Sequence, residues 1–252
     1  PIIGNRSFGE NEYLISKQAN SFINGMQSVG VLGSAKHFPG HGDTTKDSHK
    51  TLPVIEFSKE RIFNTELFPF QEAIKNNIAS IMVAHLEIPS IEKTNNLPST
   101  LSDIIIDSIL KKRLKFKGLI ITDALDMKGV AGYSKMNVDL KAFLAGNDIL
   151  LMSLNVKDGI ESIKNAYEKG IVSEERLEHS VKKILMAKFK VGLHNKVIIH
   201  DKNVFNDLNN PNQKKLMQLL PENINTLIKN KNNTIPVAVS YTHLTLPTSS
   251  QV

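Results

Sequence analysis

The residues of this sequence best suited to chemistry lie in one segment, Lys36-His37-Phe38-Pro39-Gly40-His41-Gly42-Asp43-Thr44-Thr45-Lys46-Asp47-Ser48-His49. It follows an apolar run, and its proline and two glycines make it a loop. Three chemistries compete for its histidines. A metal site would use His37-x-x-x-His41 with Asp43. Imidazoles at that spacing share a face only on a helix, and Pro39 with Gly40 prevents one here. A structural loop would use the imidazoles to satisfy backbone groups. An acid–base group would use Asp47 and His49, which lie on the same side of an extended segment. A carboxylate placed there holds one imidazole tautomer and stabilises the protonated ring.

A second segment, Lys117-Gly118-Leu119-Ile120-Ile121-Thr122-Asp123-Ala124-Leu125-Asp126-Met127, reads as a buried strand that ends in a carboxylate. Asp123 is then either the N-cap of a following helix or a nucleophile facing the mouth of a site.

The elements that must position these groups alternate in kind. Apolar runs at residues 30–35, 80–84, 118–122 and 148–153 predict buried strands. Helical periodicity predicts helices over 11–26, 58–76 (opened by a Ser58-x-x-Arg61 cap), 101–114, 138–145, 157–169 and 173–189. Strand–helix alternation implies a parallel sheet. Polar residues gather just past the strand ends: Lys36-His37, His85, Asp123, and Ser153 with Asn155. A barrel builds its site from many such ends, whereas a doubly wound sheet uses one crevice. With no Gly-x-Gly-x-x-Gly or phosphate loop present, the expected fold is α/β: part of a TIM-type (β/α) barrel, with about half its strands.

Composition bounds the rest. Of 252 residues, 40% are apolar and 22% charged, enough to bury a core. The absence of cysteine excludes disulfides and thiolate metal sites. The net charge of +6 comes from 31 Lys and Arg dispersed among 25 acids, with only short clusters such as Lys111-Lys112-Arg113; nucleic acid is not an expected partner. No apolar run has the length of a membrane span. We expect residues 1–190 to be the C-terminal portion of the barrel, 191–225 a linker and helix, and 226–238 the start of a second α/β domain cut short. Residues 239–252, with Tyr241-Thr242-His243-Leu244-Thr245-Leu246-Pro247, read as a translated adapter oligonucleotide foreign to the fold. Because the chain opens on Pro1 and not on Met, it is expected to be processed or a fragment.

Together the two segments resemble glycoside hydrolase family 3, and within it the β-N-acetylhexosaminidase branch. The resemblance runs over about residues 3–238. The run Lys-His-Phe-Pro-Gly-His-Gly-Asp-Thr-x-x-Asp-Ser-His carries it; the family's β-glucosidases share the Lys-His pair but lack the Asp-Ser-His continuation. Ile121 to Met127 resembles the nucleophile strand, and Gly4-Asn5-Arg6-Ser7-Phe8-Gly9 a sugar-binding loop. Thr226-Leu227-Ile228-Lys229-Asn230 with Ile235-Pro236 looks like the beginning of the family's second domain. The resemblance implies that Asp123 is the catalytic nucleophile, forming a covalent glycosyl–enzyme intermediate. It implies that His49 is the acid/base with Asp47 as its partner, and that Arg6, Lys36 and His37 hydrogen-bond sugar hydroxyls. His85 sits in a similar pocket position and is placed with the substrate-binding residues. The implied reaction is retaining hydrolysis of terminal β-linked N-acetylglucosamine from a glycan or muropeptide, needing no cofactor or metal. The alternatives are a β-glucosidase-type or phosphorolytic family 3 enzyme and a catalytically inactive sugar-binding fragment. The family's early strands, including an Asp that grips the sugar, have no counterpart in this sequence.

Overall fold

The computed structural model describes residues 3–44, 51–133, 136–195 and 202–224. Asp47, His49, the stretch 226–238 and the tail 239–252 lie outside the described residues. The chain divides into two compact units, Pro1–Lys196 and Val197–Val252. The first carries the candidate site; of the second, helices α8 (Val204–Leu208) and α9 (Pro211–Ile224) are described.

In the first unit, helix α1 (Glu12–Ser28) begins where the Asn11 side chain accepts the Tyr13 and Leu14 N–H groups, two donors the helix itself leaves unmet. Strand β1 (Ser34–Phe38) follows. The chain returns through α2 (Lys59–Arg61), whose N–H of Arg61 is capped by Ser58 as the spacing predicts, then a wide-turn segment Ile62–Glu66 and α3 (Phe68–Lys75). Strand β2 (Ser80–Val83) leads through a second wide-turn helix, Ile104–Arg113, to strand β3 (Leu119–Thr122). Helices α4 (Lys128–Ala131), α5 (Val138–Ala145), α6 (Val156–Glu168) and α7 (Glu174–Lys190) complete the unit.

The three strands are parallel in the order β1-β2-β3. Ser34 pairs with Ser80, Ile81 with Ile120 and Val83 with Thr122. A parallel bridge from Ile121 to Ile149 begins a fourth. The fourth element was expected to run over 148–153. Its ladder stops early because the Leu151 N–H turns to the Thr122 side-chain hydroxyl, 2.8 Å away. The first strand lies further along than the run 30–35 predicts. Gly30 (φ +81°) sits in a turn, and pairing extends to Phe38, whose carbonyl accepts the Ala84 N–H at 2.8 Å. Lys36 and His37 therefore stand within β1, at its C-terminal end. Within residues 191–225, expected to be a linker and one helix, two helices are described, α8 and α9.

Phe38, Leu67, Ile81, Val83, Ile105, Ile106, Leu110 and Ile120 pack the strands against the crossover helices, all fully buried. Each such side chain stabilises by about 1.5–3 kcal/mol relative to exposure, so this layer fixes the height of the strand ends. Among the described residues no helix is long and apolar enough to cross a membrane.

Candidate active site

The chemistry-bearing residues meet at the C-terminal ends of the strands, as the barrel expectation requires. Asp123 is the first residue beyond β3. Its N–H donates to the Val83 carbonyl at 2.9 Å, so the sheet ladder still holds its backbone. One carboxylate oxygen, Oδ1, accepts the Ala124 N–H at 2.9 Å. The other, Oδ2, is 3.9 Å from His37 Nε2, and the two side chains are only 15% and 10% exposed. Helix α4 starts at Lys128 with Met127 as its N-cap, so Asp123 caps no helix.

His37 is neutral at ordinary pH. Burial lowers its pKa to about 4, against the attraction of Asp123; the charges of Lys36, His41 and Arg6 act in the same direction as burial. Neither of its ring nitrogens is in a hydrogen bond among the described residues: Nδ1 is buried without a partner, and 3.9 Å is too long at Nε2. A buried polar atom left so is costly unless a ligand completes it. Arg6 ends the single turn Gly4–Arg6 and is exposed, as is Lys36. Cations, a neutral imidazole and a carboxylate thus surround one spot.

The loop after β1 is clamped from beneath. His41 is buried, with Nδ1 2.6 Å from Thr44 Oγ1 and its ring edge-on to that of His37 at 5.8 Å. Arg61 reaches from α2 to Asp43 (2.6 Å) and Glu66 (3.4 Å) and lies over the Phe57 ring. Gly40 has φ +133°, and a Cβ there would stand 3.0 Å from that of Glu66. Only glycine suits both demands. Burial raises the Glu66 pKa while Arg61 opposes it.

His85 lies deeper, fully buried. Its Nδ1 is 2.7 Å from Thr100 Oγ1 and its Nε2 2.9 Å from the Ala124 carbonyl. The structure thus gathers Arg6, Lys36, His37 and Asp123, with His85 behind the turn that carries Asp123. Sequence reasoning missed Thr100 and Asn147, whose side-chain amide donates to the Thr100 carbonyl at 2.9 Å. Neither has a local signal, since both lie far along the chain from the site. Among the described residues no three His, Asp or Glu side chains are grouped to hold a metal ion.

Residues 1–187 match the family described as "Glycosyl hydrolase family 3 N terminal domain". The chain belongs to glycosyl hydrolase family 3. The N-terminal domain of that family is a TIM-type α/β fold, of which the sheet described above is a part. The β-hexosaminidase of Glaesserella parasuis serovar 5 (strain SH0165) is 39% identical over 164 residues, 64% of this chain and 47% of its own length. The family 3 β-N-acetylglucosaminidase from Paenibacillus sp. str. FPU-7 superimposes with a TM-score of 0.75 at 34% identity, over 79% of this chain and 39% of that one. A β-glucoside phosphorylase bound to 2FGlc superimposes with a TM-score of 0.82 at 26% identity, over 92% of this chain and 43% of that one. The chain spans less than half the length of each of these proteins.

Proposed function

We propose that a chain carrying these residues at the length of its relatives is a retaining exo-β-N-acetylglucosaminidase. Its substrate would be terminal β-linked N-acetylglucosamine, including that joined to muramic or anhydromuramic acid. The observation that carries this reading is Asp123 itself: a strand-end carboxylate with one oxygen held by a backbone N–H and the other, among the described residues, in no hydrogen bond, beside an imidazole whose nitrogens likewise have none there. A retaining glycosidase needs a carboxylate beneath the anomeric carbon and a proton donor at the leaving oxygen. Asp123 Oδ2 attacks the anomeric carbon as the glycosidic C–O bond breaks. The leaving oxygen takes a proton from His49, which Asp47 holds in the required tautomer. Water, deprotonated by His49, then displaces Asp123. Lys36, His37 and Arg6 bind hydroxyls of the sugar.

Phosphorolysis is the second reading, favoured by the likeness to a β-glucoside phosphorylase. A histidine donor puts no second carboxylate beside the glycosyl ester, so phosphate would meet less repulsion there. The product decides: N-acetylglucosamine from aryl glycoside in phosphate buffer supports hydrolysis, and its 1-phosphate supports phosphorolysis.

The donor is tested by leaving group. Aryl glycosides with activated phenols depart without protonation, whereas poor leaving groups need it. His49→Ala is expected to slow the poor substrates roughly 10²–10⁴-fold more than the activated ones, the usual range for general acid assistance. Equal losses on both classes would remove His49 from the role.

A further inference from the structure

We infer that His85 is a positioning residue for the nucleophile, acting on Asp123 through Ala124 without touching the sugar; the inference rests on the reading of Asp123 as nucleophile. Both nitrogens of the buried ring are already engaged. Ala124 offers Nε2 a carbonyl oxygen, which only accepts, so Nε2 carries a proton. Burial lowers the His85 pKa, so the ring is neutral and Nδ1 is an acceptor. The hydroxyl that answers it is Thr100 Oγ1, at 2.7 Å. That hydroxyl also lies within reach of the Ala84 carbonyl at 2.6 Å, which accepts from the Ser99 hydroxyl as well, and of the Val83 carbonyl at 3.3 Å. The tautomer is set by the Ala124 carbonyl, which can only accept, and Thr100 is the hydroxyl that faces the remaining nitrogen. The Thr100 backbone is held in turn by the Asn147 amide.

The turn beyond β3 shows what this fixed ring does. The N–H of Asp123 is tied to Val83 and the N–H of Leu125 to Leu151, each at 2.9 Å. Between them stands Ala124, whose N–H holds Asp123 Oδ1 and whose carbonyl is held by His85. Release of that carbonyl leaves the Ala124–Leu125 peptide held only through the Leu125 N–H, so the turn that presents the Ala124 N–H to the carboxylate is less firmly held. A displacement of about 1 Å at a reacting group is enough to cost on the order of 10²-fold in rate.

The test uses a chain of the relatives' length, an aryl N-acetylglucosaminide with an activated phenol, and active sites counted by the pre-steady-state burst. His85→Leu removes the donor while filling the space. His85→Gln restores an N–H near the position of Nε2. The expected result is a kcat per active site about 10–100-fold lower in His85→Leu, with KM changed less than about threefold, and recovery of most of the loss in His85→Gln. A raised KM with unchanged kcat would make His85 a sugar ligand, and a lower folded fraction with normal kcat would make it structural; either overturns the inference. Should His85→Leu not fold, ¹⁵N NMR of the unsubstituted protein decides: a proton on Nε2 and none on Nδ1 at neutral pH supports the assignment, and the reverse tautomer overturns it. Activity surviving in Asp123→Ala would instead remove the nucleophile reading beneath it, a result separable from all of these.

Discussion

Two carboxylates at opposite ends of the same strands show how one side chain is put to different uses. Asp148 lies at the start of the fourth strand, its side chain completely buried. It accepts the Ile120 N–H (2.9 Å) and the Ser180 hydroxyl (2.6 Å) and pairs with Lys183. Arg176 closes the arrangement, donating to Ser180 and to the Phe143 and Asn147 carbonyls. Both oxygens of Asp148 are engaged, by three partners in all, and what they tie together is helix α7 and the sheet. Asp123, at the other end of β3, receives one backbone N–H, and among the described residues neither its second oxygen nor either His37 nitrogen is in a hydrogen bond. A carboxylate with both oxygens engaged holds a fold; one with an oxygen outside any hydrogen bond is available to a ligand.

The comparison breaks most sharply by deleting each in turn in a chain of the relatives' length. Asp123→Ala is expected to lower turnover about 10⁴-fold or more, the scale seen when a nucleophile is removed, with azide restoring part of it by entering the vacated space. The melting transition should move little. Asp148→Ala is expected to do the opposite. It strands Lys183 beside buried polar groups, and breaking a buried pair costs about 3–5 kcal/mol, read as an earlier urea midpoint. The kcat of the molecules still folded should be unchanged. A stable Asp148→Ala, or an active Asp123→Ala, would erase the distinction.

Much of this was legible in the sequence where the deciding interactions are local. Helix α5 runs over Val138–Ala145 as its periodicity predicts, because Asn137 caps it at one end and Gly146, at φ +117°, ends it at the other. Strands β2 and β3 are apolar runs buried on both faces and admit no other reading. Asp123 stands out because a carboxylate directly after such a run is either a helix N-cap or a group facing a site, and helix α4 takes Met127 as its cap instead. The start of β1 was misplaced because the apolar residues 30–33 lie before the ladder, Gly30 in a turn, while pairing selected the more polar Ser34–Phe38 through its partners on β2. The supports of the site were invisible for a related reason. His85 is 15 residues from Thr100 and 39 from Ala124. Asp148 is 28 residues from Ile120 and 35 from Lys183. No window of sequence contains both partners, and only the fold brings them together.

His37, beside Asp123, couples the site to the stability of the fold through pH. Its pKa stands at about 4 in the folded protein, because burial disfavours the cation more than Asp123 favours it; in an unfolded chain the value is about 6.5. The sign follows. Above pH 6.5 the ring is neutral in both states and nothing opposes folding. As the pH falls from 6.5 toward 4 the unfolded chain takes up a proton that the folded protein does not, and stability is lost. At about 1.4 kcal/mol for each pH unit between the two values, the loss is on the order of 3 kcal/mol. Urea midpoints of the unsubstituted protein should therefore fall between pH 6.5 and 4, and His37→Gln, which cannot be charged, should flatten that slope. An equal slope in the variant would assign the acid sensitivity elsewhere. Asp148→Ala offers the control, because it leaves His37 in place: the midpoint should be lower at every pH, with the His37 slope still present.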